Sequence, residues 1–304
     1  MPAARVLVVG EALVDVTHAV DGAVSEHPGG SPLNVAVAAA RLGARVTLAA
    51  QVGHDRHGEI LRAHLRASGV ELVDVGSGRT ASATAYLQAD GSATYDFDLH
   101  WDPRDLPDPS AYSLLHVGSI GSWMPPGAGA VRSLVDAAHA AGVPVGFDPN
   151  LRPTLTPSPA QLRAVVFGIA AHARVLKLSD EDAAGLLGPG QNPQEALDQL
   201  SGAGPALLAM TRGGASTVLR CGDVRVEVPA PDVQVADTIG AGDTWMGAVL
   251  VALLTRGWTD RDDLDARELA WLGAIAARAA AITCTRPGAD PPWRRELPEI
   301  AVPG

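Results

Sequence analysis

The chain has 304 residues, 47% of them hydrophobic, and 34 acidic side chains against 23 Lys and Arg, for a net charge of −11. That length accommodates one large α/β domain or two modest ones. The acidic balance, with no Lys/Arg cluster anywhere, argues against nucleic acid or an anionic membrane surface as the main partner, and an anionic substrate would need local positive groups.

Two cysteines, Cys221 and Cys284, stand far apart and in no metal spacing, which fits ordinary thiols in a reducing compartment. The first apolar run, Val6-Leu7-Val8-Val9, is too short for a signal segment, and the Ala-rich stretch 270–283 carries Arg278 and is too short to span a bilayer. The expectation is a soluble, cytoplasmic protein.

In chain order, short β-branched runs alternate with Ala/Leu-rich helical runs, the pattern of βαβ units around a parallel sheet. Val6–Val9 is a continuous apolar strand, buried on both faces. Ser31-Pro32 opens a helix, with Ser as N-cap and Pro in the first turn, that runs to Leu42 and stops at Gly43. A strand over 46–50 precedes a helix over 58–67. Strand and helix pairs follow at 114–117 with 127–141, 144–147 with 160–171, and 174–178 with 181–187. Strand 206–210 leads into a hairpin over 217–220 and 224–228 that turns at Gly222-Asp223, and helices over 242–255 and 266–283 close the core. Residues 15–27 and 80–99 alternate instead of running continuously, as in Tyr95, Phe97 and Leu99. That alternation predicts strands with one open face, forming a small sheet that sits as a lid over the strand ends. No linker separates independent domains, so the chain reads as one domain.

In a doubly wound sheet, ligands bind beyond the carboxyl ends of the strands. Three polar features fall there: Asp15 in G-E-A-L-V-D, Gly29, Gly30 and Asn34 in P-G-G-S-P-L-N, and Asp148, Asn150 and Arg152 in F-D-P-N-L-R. Carboxylate, amide and guanidinium around a bare glycine backbone are what a polyhydroxylated ligand requires. Singly, each has an ordinary reading as a turn, a cap or a surface ion pair; together at consecutive strand ends they favour a site.

A phosphate side has its own candidates. M-T-R-G-G-A-S, with Gly213 and Gly214, is either a β-turn before the hairpin or a loop passing under a nucleotide. D-T-I-G-A-G-D puts Asp243 just after Gly240-Ala241-Gly242 at the mouth of a helix, where unpaired N–H groups attract anions. Asp243 there either caps the helix or removes a proton from a group attacking a phosphate held by those amides. Neither G-x-x-x-x-G-K-[ST] nor G-x-G-x-x-G occurs. His54, His57 and Glu59 mimic a metal spacing but lack a third ligand and read as a loop and helix start, while His100 and Trp101 either close over a ligand or pack the lid.

P-G-G-S-P-L-N and D-T-I-G-A-G-D-T-W resemble the two signatures of the PfkB (ribokinase-like) carbohydrate kinases, supported by V-G-H-D-R-H-G at 52–58 and T-R-P-G-A-D at 285–290. The resemblance covers essentially the whole chain. It implies a three-layer α/β/α sandwich with a mostly parallel sheet and a small β-sheet lid, and ATP-dependent phosphorylation of a sugar primary hydroxyl. It assigns Asp243 as catalytic base, Gly240, Ala241 and Gly242 as the anion hole, and Asp15, Gly30, Asn34 and Arg152 as sugar ligands. Lys177, Thr211 and Gly213 then lie along ATP, with segment 274–285, including Ala274 and Ala277, near the adenine. Mg²⁺ rides on the nucleotide, and a potassium-type ion near Asp237 and Ile239 is common in the family. Relatives often pair through their lids, which allows a homodimer.

Two departures stand out. Where the family often has N-x-x-E, this chain has Ser179 and Asp182, with Glu181 adjacent, leaving open which carboxylate organises the magnesium waters. The adenine-side Asn of some relatives is Ala277. D-P-N-L-R and K-L-S-D-E favour fructose, with 2-dehydro-3-deoxygluconate, ribose and nucleosides as alternatives. A catalytically silent binding regulator would predict a missing base or a blocked anion hole, and both are intact; an oxidoreductase lacks its dinucleotide fingerprint.

Overall fold

A computed structural model describes residues 4–88, 92–152, 155, 158–188, 190 and 192–300. In chain order the elements are β1 (Arg5–Val9), β2 (Leu13–His18), β3 (Val24–Gly29), α1 (Ser31–Arg41), β4 (Arg45–Ala50), α2 (Arg56–Ala67), β5 (Glu71–Asp74), β6 (Ala81–Leu87) and β7 (Ala93–Asp98). They continue with β8 (Leu114–Gly118), α3 (Ser119–Trp123), α4 (Ala128–Ala140), β9 (Val145–Asp148), α5 (Pro159–Ala170), β10 (Val175–Ser179), α6 (Asp180–Leu187) and α7 (Pro193–Ser201). The last are β11 (Leu207–Thr211), β12 (Ser216–Cys221), β13 (Val224–Pro229), α8 (Ala241–Arg256) and α9 (Ala266–Cys284).

Nine strands form one sheet in the order β13-β12-β11-β10-β9-β8-β1-β4-β5. Every pairing from β5 to β11 is parallel, and only the hairpin strands β12 and β13 add antiparallel edges. Successive side chains of a strand face opposite sides, and β1 shows the result. Val6 and Val8 enter a core shared with α1, α2, α8 and α9, whereas Leu7 and Val9 enter a second core shared with α4, α5, α6 and α7. Both faces are therefore covered, and the three-layer α/β/α architecture that the family resemblance implies is what forms. Growth from β1 runs outward through β4 in one direction and through β8 in the other. The topological switch point, where open α/β sheets bind ligands, lies between β1 and β8.

A separate four-stranded sheet has the order β3-β2-β6-β7, with β2 and β6 parallel and the other pairs antiparallel. Its strands fall in the two alternating segments; residues 89–91 of the second lie outside the described residues. Its root is pinned to the body by Asp55, which accepts from the backbone N–H of both Gly58 and Thr80, while the Thr80 hydroxyl accepts from Gly53 N.

Three elements escaped the sequence reading. β5 is a four-residue edge strand of mixed polarity, and α3 is little more than one turn, so neither carries a period. α7 had a signal in Asn192-Pro193 followed by buried Ala196, Leu197 and Leu200, and should have been found. The start of α1 also differs from expectation. Gly30, at φ +100°, is the N-cap, and a Cβ there would stand 2.8 Å from the Glu11 carbonyl oxygen. Ser31 is thus the first helical residue, and its hydroxyl is free for another partner.

Candidate active site

The first turn of α8 sets the chemistry. Its N-cap Gly240 adopts a left-handed conformation (φ 74°, ψ 2°), offers no capping side chain, and could not carry a Cβ without meeting Ala289 at 2.6 Å. A glycine cap leaves the N–H groups of the first turn without side-chain acceptors, which suits them to an oxyanion. Asp243 follows in that turn, 7% exposed. Its carboxylate does not cap its own helix. Ser31 Oγ donates to Oδ1 at 2.6 Å and Asn34 Nδ2 donates to Oδ2 at 2.8 Å, both from α1.

That meeting follows from how the helices pack. A Cβ built on Gly247 would lie 2.8 Å from Ala38 Cβ and 3.1 Å from the Val35 carbonyl oxygen, so α1 and α8 touch backbone to backbone there. Asn34 contacts Asp243, and four residues on, Ala38 meets Gly247. The two helices therefore run in the same sense, and their N-termini end side by side.

Lys177, on β10, approaches the same turn from below. A Cβ on Gly242 would stand 3.1 Å from Lys177 Nζ, which also donates to Asp148 Oδ2 at 2.7 Å in a fully buried pair. Burial works against the Lys177 ammonium, but Asp148, Asp182 and Asp243 outweigh it and hold its pKa above the usual value. Burial pushes the Asp148 carboxyl up against the pull of Lys177, with Asp182 and Asp243 adding to the rise. A charged lysine beside a glycine turn supplies the local positive group that the acidic chain needs.

Asp182 is already engaged. Its Oδ1 accepts from Leu151 N at 2.7 Å, and its Oδ2 accepts from Ser179 N and Oγ at 2.8 and 2.7 Å, so it caps α6 and fixes the loop after β9. Glu181 points to solvent. Asp237 binds the N–H of Ile239 through Oδ1 and of Gly288 through Oδ2, stapling segment 285–290 to the glycine turn. Burial opposes its charge, but these amide donors prevail and hold its pKa below the carboxylate norm.

The other candidates lie around the mouth. Asp15 on β2 sits over Gly29, where any Cβ would meet its Oδ2 at 2.1 Å. Burial raises the Asp15 pKa to about 6, against the charges of His27 and Arg152. Asn150 sits in a left-handed conformation (φ 38°) after β9, and Arg152 is exposed beside it. Thr211 ends β11, and Gly213 and Gly214 follow it in an open turn, with Gly213 at φ 52°. On α9, Ala274 is exposed and Ala277 is buried. Trp101 is buried, and its Nε1 donates to the Gly121 carbonyl at 2.9 Å, so it packs against the body rather than standing free. His54, His57 and Glu59 are not part of any metal-type cluster among the described residues.

Two residues were missed. Ser31 was read only as a cap. Glu11, two residues past the end of β1, reaches α3 across the switch point, and its Oε2 accepts from Gly121 N at 3.2 Å. Burial raises its pKa to about 7, offset in part by a hydrogen bond with Ser119. The signal was present in a Glu directly after an apolar strand, and in the unread G-S-I-G-S after β8.

Comparison with known proteins gives a consistent picture. Residues 3–295 match the pfkB family of carbohydrate kinases. A fructokinase of Klebsiella pneumoniae is 33% identical over 299 residues, spanning 94% of each chain. Among solved structures, fructokinase from Xylella fastidiosa with bound ATP superposes with a TM-score of 0.83 at 27% identity over 97% of both chains. Fructokinase from Vibrio cholerae, in its fructose-, ADP- and calcium-bound form, superposes with a TM-score of 0.79 at 27% identity over 94% of both. The chain belongs to the pfkB family of carbohydrate kinases.

Proposed function

We propose that this protein is an ATP-dependent fructokinase in which Asp243 is the catalytic base. The observation that carries the reading is the uncapped first turn of α8, with Asp243 inside it and Lys177 Nζ beside Gly242. The amides of Gly240, Ala241, Gly242 and Asp243 take the charge of the transferring phosphoryl group, and Lys177 adds a fixed positive charge. Asp243 accepts the proton of the sugar's primary hydroxyl as that oxygen attacks phosphorus. Asp15, Gly29, Gly30, Asn34, Asn150 and Arg152 hold the sugar; Thr211, Gly213, Gly214, Ala274 and Ala277 line the nucleotide. Fructose is favoured by the names of the most similar relatives and by D-P-N-L-R.

A divalent ion carried by the nucleotide supplies charge neutralisation at the phosphates when bound. The residues present fit an ion held through water by Glu181, because the oxygens of Asp182 already serve Ser179 and Leu151. Backbone amides occupy only part of the Asp237 carboxylate, which leaves room for a monovalent cation at Asp237 and Ile239. A cytoplasmic setting agrees with the free thiols of Cys221 and Cys284. Among the described residues no helix is long and apolar enough to cross a membrane.

A coupled assay of ADP release across fructose, 2-dehydro-3-deoxygluconate, ribose and a nucleoside tests both parts. Fructose should give the highest kcat/KM, and Asp243→Asn should lower turnover at least ~100-fold while sugar binding persists. Activity on 2-dehydro-3-deoxygluconate alone overturns fructose. Turnover that survives Asp243→Asn overturns the role of the base.

A further inference from the structure

We infer that Ser31 is a positioning residue for Asp243: its hydroxyl sets the rotation of the carboxylate and so decides which oxygen meets the acceptor hydroxyl. The inference rests on Asp243 being the base, and it concerns a residue that local sequence logic assigns to helix capping.

Four observations carry it. Gly30 takes the N-cap position, and no side chain caps α1, so Ser31 has no local task. Ser31 is buried, 6% exposed, so its hydroxyl needs a partner inside the protein. That partner is Asp243 Oδ1, at 2.6 Å, across 212 residues of sequence. Asn34 holds the opposite oxygen at 2.8 Å. The two donors are not equivalent. A serine side chain has a single carbon to rotate, and Ser31 lies in the first turn of α1, whose packing on α8 is fixed further along by Val35 and Ala38 against Gly247, so its hydroxyl stays with Oδ1. Asn34 has a longer side chain, and its amide lies near the glycine turn, 3.8 Å from where a Gly240 Cβ would be. With Ser31 fixed on Oδ1, Oδ2 is the oxygen left to a sugar hydroxyl when Asn34 turns to the ligand. A carboxylate free to rotate would present the wrong edge for much of the time, and such misalignment lowers turnover more than binding.

The test is Ser31→Ala, alone and combined with Asp243→Asn, measured by ADP release with fructose as the varied substrate. Alanine removes one oxygen and keeps the helix, and thermal melting checks that the fold persists. Ser31→Ala is expected to lower kcat about tenfold, with KM for sugar and for ATP within about twofold of the parent. In the Asp243→Asn background the same change is expected to cost nothing further, because residues acting through one group are not additive. An unchanged kcat in Ser31→Ala overturns the inference, as does a raised KM at constant kcat, which would make Ser31 a plain binding residue. A full additional tenfold loss in the double variant also overturns it. If Asp243→Asn itself retains turnover, the assignment of the base fails instead, so the two failures are told apart.

Discussion

At the scale of single residues, the site gathers acids that the protein has to keep apart in charge. Asp148 is neutralised by Lys177, Asp182 by backbone and hydroxyl donors, Asp237 by two amides, and Asp243 is held by Ser31 and Asn34. Glu11 is the exception, since among the described residues no cation faces it. Its pKa in the folded protein, about 7, lies above the usual 4.5 because burial disfavours the charge. The folded state therefore holds that proton more tightly than the unfolded chain does. Its stability is intact below pH 4.5 and declines as pH rises to 7, by about 3 kcal/mol in total at ~1.4 kcal/mol per unit. Glu11→Gln removes that decline. Thermal unfolding across pH 5 to 8 should find the variant nearly equal to the parent at pH 5, increasingly more stable as pH rises to 7, and ahead by a constant margin above that. A difference that does not change with pH would place its cause elsewhere. Some of these roles were legible: a carboxylate after a glycine turn announces Asp243, and clustered Gly, Asn and Arg at strand ends announce a ligand. Ser31 was not, because a serine before Pro32 looks the same whether it caps a helix or grips an aspartate 212 positions away.

At the scale of elements, the site depends on how closely α1 approaches α8. Helix α8 is buried along nearly its whole first three turns, from Asp243 to Leu253, and a helix apolar all round is packed on every side. The absence of a side chain at Gly247 is what permits backbone contact with α1. Gly247→Val forces a Cβ against Ala38 and the Val35 carbonyl, where backbone cannot yield cheaply. Overpacking of this kind costs about 1–3 kcal/mol. The variant should show a lower urea midpoint together with lost turnover, because Ser31 and Asn34 move away from Asp243. A variant with unchanged activity would show that this crossing does not set the site. The elements themselves were mostly readable, since β1 is an apolar run, β4, β8 and β10 are apolar runs broken inside by a single polar residue (Thr47, His116 and Lys177), and α1 and α9 carry long helical patterns. Short pieces such as β5 and α3 were not, because a four- or five-residue segment is too brief to display a period.

At the scale of the whole molecule, the small sheet is the conspicuous surface. Val20, Val24, Tyr86, Leu87, Tyr95 and Phe97 are exposed large apolar residues of this sheet and its turn, and Tyr95 stacks on Phe97 with ring centroids 6.0 Å apart. The register puts Leu87, Tyr95 and Phe97 on one face of the sheet and Val24 and Tyr86 on the other. The exposed Tyr95 and Phe97 face suits a second copy of the chain, and we propose a homodimer through the small sheet. Sedimentation of the parent should give a dimer, and Tyr95→Asp with Phe97→Asp should give a monomer; a parent that sediments as a monomer at tens of micromolar removes the proposal. By itself, the order of residues determined the alternation of strands and helices, the two glycine turns and the acid beside one of them. These are local matters of period, φ preference and cap chemistry, which a short stretch of chain decides alone. Tertiary structure decided that Gly30 rather than Ser31 starts α1, that Leu151 takes the second oxygen of Asp182, that Lys177 lies beneath Gly242, and that Glu11 is sealed at the switch point. Each of those depends on which groups from distant parts of the chain come within 3 Å, and that distance is set by packing of helices and strands across the sheet, not by neighbours in sequence.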